Sequence, residues 1–156
     1  MGLSILALAQ VLLTPCLTLS AEGRRLAVYE AAGDLSLAID FIHSVQKTPV
    51  QERLRVAADK CSLELVETRY HSFGVGLPFL ASEGEFCQEG GDFVFKGMAR
   101  RFESLSLRTG VGTKLVVTVS RGNFARRFEL YRHYPPGALV EIRFAPLYAI
   151  LWERNG

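Results

Sequence analysis

The residues best suited to chemistry are ionisable side chains that have the same two-residue spacing as the apolar residues of their predicted strands. Each of them continues or interrupts a run of apolar residues two positions apart, in residues 35–41, 50–56 and 63–65. Because side chains two positions apart in a strand share a face, these ionisable groups are predicted to point toward the core. A charge there is costly unless it is paired or reaches a cavity. The residues are His43, Glu52, Glu67 and Arg69.

Antiparallel pairing predicts that these side chains converge. If residues 44–49 connect two paired strands, His43 lies near Val50, Glu52 lies near Phe41, and the two ionisable groups are diagonal neighbours. Three interpretations stay open: a structural polar network, a pocket for a small molecule or an anion, or a metal or acid–base site using His43 and Glu52. Arg69 opposes a bound cation. The sequence therefore assigns no catalytic residue, metal or cofactor.

The second marked feature is a glycine-containing loop over residues 72–78. Gly74 and Gly76 permit positive φ and close backbone approach, and Pro78 stiffens the exit. Such a loop is either a tight structural corner or an anion-binding nest of backbone N–H groups. It matches neither a dinucleotide fingerprint nor a phosphate-binding P-loop. Including the adjoining connection, the candidate ligand-binding set is His43, Ser44, Lys47, Glu52, Glu67, Arg69, Ser72, Gly74 and Gly76.

The elements that position these residues are predicted to be strands. Beyond residue 22 the chain alternates apolar and polar residues between turn formers, with residues 114–120 as its strongest strand and residues 147–152 as a short closing strand. No sustained helical periodicity interrupts this pattern. The sequence predicts one all-β domain over residues 22–156, an antiparallel sandwich or small barrel of about eight to ten strands.

Residues 1–21 differ from the rest because they contain no charged side chain. An apolar run is followed by Pro15 and by a small residue, Ala21, where signal peptidase could cut. This segment is predicted to be a signal peptide or a retained membrane anchor, since a spanning helix needs about 20 apolar residues. A lipoprotein signal ending at Cys16 is a weaker alternative, because a proline precedes that cysteine. Export to the periplasm or the extracytoplasmic membrane face is the predicted location.

Cysteine usage bears on disulfide formation, and net charge bears on the kind of partner. Once Cys16 is removed, Cys61 and Cys87 form an even pair that is either bridged or free in an oxidising compartment. The formal net charge of the 156 residues is +2, from nearly balanced basic and acidic side chains. Nucleic-acid binding normally needs a concentrated basic face, so no nucleic-acid partner is predicted.

Two stretches of the chain resemble a bacterial family, the domain of unknown function numbered 1850. They are residues 42–50 with Glu52, and residues 67–70 followed by 72–78. The Pro136-Gly137 turn before residues 140–142 is similar to the family's closing strand. Gln46 departs from the pattern, where the family more often has an acidic residue. The resemblance implies a small exported or membrane-anchored protein, often encoded near TRAP-type solute transporters of the TAXI class.

The functional prediction is an extracytoplasmic binding or accessory protein associated with a TRAP-type transport system. Its expected partners are a transporter subunit, a small-molecule or anionic solute, and the membrane if the N-terminal segment is retained. A metal-dependent or acid–base enzyme using His43 and Glu52 is one alternative. The other is a purely structural interaction module.

Overall fold

The computed structural model of the protein describes residues 2–71 and 84–153, which form eleven strands and three helices. The strands are β1 Pro15–Ala21, β2 Arg24–Glu30, β3 Leu35–Ile42, β4 Pro49–Val56, β5 Leu63–Tyr70, β6 Glu85–Glu89, β7 Asp92–Phe102, β8 Ser104–Arg108, β9 Val116–Arg121, β10 Phe124–Glu129 and β11 Leu139–Pro146. The helices are α1 Gly2–Leu12, α2 Leu130–His133 and α3 Leu147–Trp152.

The strands form two antiparallel sheets. The small sheet has the order β2-β1-β11-β8, and the large sheet has the order β10-β9-β3-β4-β5-β7-β6. Glu103 alone separates β7 from β8, so the chain crosses between the sheets at that residue. The prediction of an all-β antiparallel sandwich is confirmed, with slightly more strands than expected.

The core lies between the two sheets and follows the predicted alternation. In the large sheet, Leu37 is opposite Leu54 on one side and Val119 on the other, and all three are buried. In the small sheet, Leu19 and Ile142 are directly opposed and buried. Apolar residues two positions apart therefore form the side of each sheet that faces the core. We call this side the inner face and the opposite side the outer face.

Strand β1 belongs to the folded domain, although its residues were predicted to precede it. It lies between β11 and β2 and pairs with both. Its outward side chains, such as Thr18, are also buried. An uncharged run is compatible with a signal sequence or with a strand buried on both faces, and composition does not separate the two. The domain therefore begins at Pro15 in the structure, ahead of the predicted boundary at residue 22, and removal of residues 1–21 stays a prediction.

Helix α3 covers the outer side of the small sheet. Arg25 on β2 donates to the carbonyl oxygen of Ile150 at 3.0 Å and pairs with Glu153 at 2.9 Å, while Arg143 on β11 reaches Glu153 at 3.2 Å. The prediction of a closing strand over residues 147–152 is wrong, because a short apolar run does not distinguish a strand from a packed helix. Among the residues described, no helix has the length and apolarity needed to cross a bilayer.

Candidate functional site

The register of β3 and β4 separates His43 from Glu52. Phe41 is opposite Val50, and Glu52 is opposite Ile39. The His43 amide donates to the Thr48 carbonyl oxygen at 2.9 Å, so His43 is level with Thr48, four positions from Glu52 along β4. Four strand residues span roughly 13 Å. The predicted diagonal contact of His43 and Glu52 is wrong, because the connecting turn is tighter than expected.

The His43 side chain holds this turn. Its Nδ1 atom accepts hydrogen bonds from the backbone amides of Val45 and Gln46, both at 3.3 Å. The His43 carbonyl oxygen accepts a hydrogen bond from the Lys47 amide at 2.9 Å. Lys47 has a positive φ of 58°, as a tight turn requires. Ser44 lies in the same turn and is exposed. The structure therefore gives His43 a local structural contact and does not bring Ser44 or Lys47 to the other candidates.

A β-bulge places Glu67 and Arg69 on the opposite face from Glu52. The register of β5 shifts between Leu65 and Glu67, so that both β4 and β7 skip Val66. Leu65 therefore points inward, but Glu67 and Arg69 point outward. The prediction that all four ionisable residues share one face is wrong, because alternation read along the sequence does not reveal an inserted residue.

Glu52 remains on the inner face, as predicted. Its cross-strand neighbours Ile39 and Thr68 are both buried. Burial raises the pKa of the Glu52 carboxyl, and the charge of Arg100 opposes that rise. Among the described residues, no hydrogen bond or ion pair reaches the Glu52 carboxylate.

The outer face of the large sheet carries a polar row that crosses three neighbouring strands. Asp40 on β3 is opposite Gln51 on β4, and Gln51 is opposite Arg69 on β5. The Gln51 amide nitrogen donates to an Asp40 carboxylate oxygen at 2.6 Å. Asp40 and Gln51 were missed at the sequence level. The signal for Asp40 was its alternation with Ile39, which marks it as outward-facing.

Arg69 is held in place by carboxylates from the same face. Its guanidinium is 2.9 Å from a Glu89 oxygen, 3.7 Å from Asp92 and 3.8 Å from Glu67. Lys96 also contacts Glu89. The hydrogen bond to Glu89 raises the pKa of Arg69, and the hydrogen bonds from Lys96 and Arg69 lower the pKa of Glu89. Arg69 is therefore a fixed cation whose charge is largely balanced.

A pocket of about 340 Å³ opens over this row, and we call it the outer-face pocket. The charged and amide residues of its lining are Asp40, Gln51, Arg69, Asp92, Lys114 and Arg127, and two tyrosines, Tyr70 and Tyr131, also line it.

The cations on one side of the outer-face pocket are weakly paired. Lys114 has no ion pair among the described residues, and Arg127 is 3.4 Å from Glu129. Asp92 is paired with His71 at 2.7 Å, and Asp40 with Gln51. Neither Lys114 nor Arg127 was predicted. Lys114 lies in a turn and Arg127 on an edge strand, and neither residue continues an alternation of apolar residues that would mark it.

Other sequence predictions concern residues away from this pocket. Cys16, Cys61 and Cys87 are free thiols, so the proposed bridge is not formed. Cys61 lies just before the start of β5. Cys87 on β6 is opposite Val94 on β7, and Val94 is opposite Arg69 near the end of β5, so the two cysteines are close to opposite ends of that strand. The candidates Ser72, Gly74 and Gly76 lie outside the described residues. Within residues 2–71 and 84–153, no group of three or more His, Cys, Asp or Glu residues is placed to hold a metal ion.

Comparison with known proteins gives a family and no function. A family described as "Domain of unknown function (DUF1850)" matches residues 37–124, more than half of the chain. The matched region includes Asp40, Gln51, Arg69, Asp92 and Lys114 of the outer-face pocket and ends before Arg127. No curated protein and no solved structure matches the chain. The chain belongs to the DUF1850 family of domains of unknown function.

Proposed function

We propose that the protein is an extracytoplasmic binding protein whose outer-face pocket holds a small carboxylate solute. The observation that carries this proposal is the position of Lys114 and Arg127, two weakly paired cations, in a pocket that also contains the Asp40–Gln51 pair. The pocket volume is at the lower end of the range typical of small-molecule sites.

The lining suggests how such a solute is oriented. Arg127 can bind a carboxylate through two parallel N–H donors, and Lys114 adds a point charge. Asp40 and Gln51 offer oxygen acceptors for a hydroxyl or ammonium group on the same solute. Val116 is buried beside them and contributes apolar contact. Hydroxy acids and amino acids combine these features, and they are the solute class we propose.

We further propose that the protein acts as an accessory to a TRAP-type solute transporter. This part rests on the family resemblance and on the solute class, since TRAP-type systems take up small solutes. It is tested by recovering the tagged protein from native membranes. Co-recovery of a permease or solute-binding subunit supports the proposal, and the absence of any transporter subunit counts against it.

The binding site itself is tested by thermal unfolding with glutamate and succinate as probes. A probe at a hundredfold excess over its Kd should stabilise the protein by about 2.7 kcal/mol. Replacing Arg127 with Gln should weaken binding roughly 10- to 100-fold, because a charge-assisted hydrogen bond contributes about 1.5–3 kcal/mol.

The chain offers a matched control for each pocket cation. Arg126→Gln changes the adjacent arginine of β10, which is opposite Val119 and therefore on the other face of the strand. Lys60→Gln is the control for Lys114→Gln, because both lysines are exposed turn residues with positive φ, 57° and 47°. Equal losses in a pocket variant and its control would contradict the site. No stabilisation by either probe favours the structural-module alternative.

A further inference from the structure

Most of the large apolar side chains that are exposed in the described residues belong to two helices at one end of the small sheet and to the residue after the first of them. The segment from α1 to β1 exposes apolar side chains that are each more than half accessible, and α3 exposes a tyrosine, a leucine and a tryptophan. We call these residues the apolar end. They are Ile5, Leu6, Leu8, Val11, Leu13, Tyr148, Leu151 and Trp152.

The apolar end is attached firmly to the sandwich. Helix α1 is followed almost directly by β1, which is paired on both sides. The Leu147 amide donates to the Thr14 carbonyl oxygen at 3.0 Å, so the start of α3 is joined to the short connection between α1 and β1. The two helices therefore begin at the same end of the small sheet, and α3 folds back over its outer side, where Arg25 and Arg143 contact it.

The chemistry of the apolar end fits a bilayer better than a protein groove. Helix α1 contains no charged residue, and its polar residues are one serine and one glutamine. It therefore lacks the polar face of a helix that docks in a groove. Its eleven residues are about 16 Å long, roughly half of the hydrocarbon thickness of a bilayer. A helix of this kind can enter one leaflet without crossing the membrane.

The residues beside the apolar end have the order expected at a membrane interface. Tyr148 and Trp152 are exposed, and aromatic side chains of these types concentrate at the level of the lipid headgroups. Arg25 and Arg143 lie beneath α3, where both contact Glu153. Arginines at this depth can reach anionic headgroups.

A second cavity adds polar groups at the same level. It measures about 830 Å³, and Leu13, Pro15 and Phe144 form part of its wall. Arg101 and Arg143 line the same cavity, and the Arg101 guanidinium is 3.7 Å from Asp59. Apolar and charged walls that meet beside α1 are suited to the boundary between acyl chains and headgroups.

We propose that the apolar end inserts into one leaflet of a phospholipid bilayer, with α3 and its aromatic side chains at the headgroup level. The proposal extends the membrane contact expected of the N-terminal segment to a second element, α3, and requires that α1 be retained. It does not depend on the solute pocket.

Trp152 allows a direct test, because it is the only tryptophan of the chain. Mixed phosphatidylethanolamine and phosphatidylglycerol vesicles should shift its fluorescence to shorter wavelength, and brominated acyl chains should quench it. Val11→Ser should weaken vesicle partitioning roughly tenfold or more, as expected for one valine that becomes buried in the acyl chains. Val111→Ser is the matched control, because Val111 is also exposed but follows β8 at the opposite end of the small sheet.

Several results would overturn the proposal. One is unchanged Trp152 emission with vesicles; another is an equal loss of partitioning in the Val111 variant. A concentration-dependent shift without lipid indicates a second copy on this surface, and recovery only with a membrane protein indicates a protein partner. Thermal unfolding of both variants excludes misfolding as the cause, since both side chains are exposed. Stabilisation by glutamate should be the same in both, which separates this test from that of the solute pocket.

Discussion

Replacing Leu19 with Ala tests whether β1 belongs to the core of the domain. Leu19 is 2% exposed and lies between Ile142 of β11 and Ala27 of β2. Buried Leu→Ala changes cost about 2–5 kcal/mol, from lost transfer energy and the cavity left behind. That loss is a large part of the roughly 5–15 kcal/mol of a typical domain. Leu13→Ala is the control, because Leu13 is 63% exposed and its loss should change stability by less than about 0.5 kcal/mol.

Urea unfolding followed by circular dichroism measures both variants. The account predicts a clearly lower midpoint for Leu19→Ala at an unchanged slope. If the two variants unfold within about 0.5 kcal/mol of each other, β1 is not part of the stable sheet, and the predicted cleavage after Ala21 becomes compatible with the fold. The same reasoning predicts that a chain lacking residues 1–13 folds and a chain lacking residues 1–21 does not.

Two further predictions follow from the thiols and from Glu52. Non-reducing mass spectrometry of the oxidised protein should show no Cys61–Cys87 peptide, and finding that bridged peptide would contradict the structure. A thiol reagent should modify exposed Cys61 before Cys16, because burial raises the pKa of the Cys16 thiol. Burial raises the pKa of Glu52 above its unfolded value, so ionising this group costs stability as pH rises through the folded pKa, at about 1.4 kcal/mol per pKa unit. Glu52→Gln should therefore raise the melting temperature at neutral pH and lose this advantage below about pH 4, whereas the exposed Glu85→Gln control should not; equal effects at both pH values would refute the assignment.

The fold class was predictable because strand alternation is a local property. Leu35, Leu37 and Ile39 are buried on the inner face as their spacing indicates, and Leu37 lies between the buried residues Leu54 and Val119 of the neighbouring strands. The N-terminal boundary was not predictable in the same way. The uncharged residues of β1 are buried on both faces, and this composition is shared by signal sequences and central strands.

The site was predicted only in part, because its position depends on register. Glu52 and Arg69 were both identified, but the bulge at Val66 turns Arg69 to the outer face while Glu52 stays inside. A single inserted residue thus separates groups that alternation places together. Lys114 precedes β9 and Arg127 lies on β10, both distant in sequence from β3 and β4, and only the order of the large sheet brings them to Asp40 and Gln51.

The most direct test of the proposed site is a titration of the isotopically labelled protein with glutamate, followed by amide chemical shifts. The account predicts that the largest shifts map to the outer-face pocket, at Asp40, Gln51, Lys114 and Arg127, and that they disappear in Arg127→Gln but not in Arg126→Gln. Shifts centred on His43 and Glu52 instead, or shifts that survive the Arg127 change, would contradict the claim that solute binds on the outer face of the large sheet.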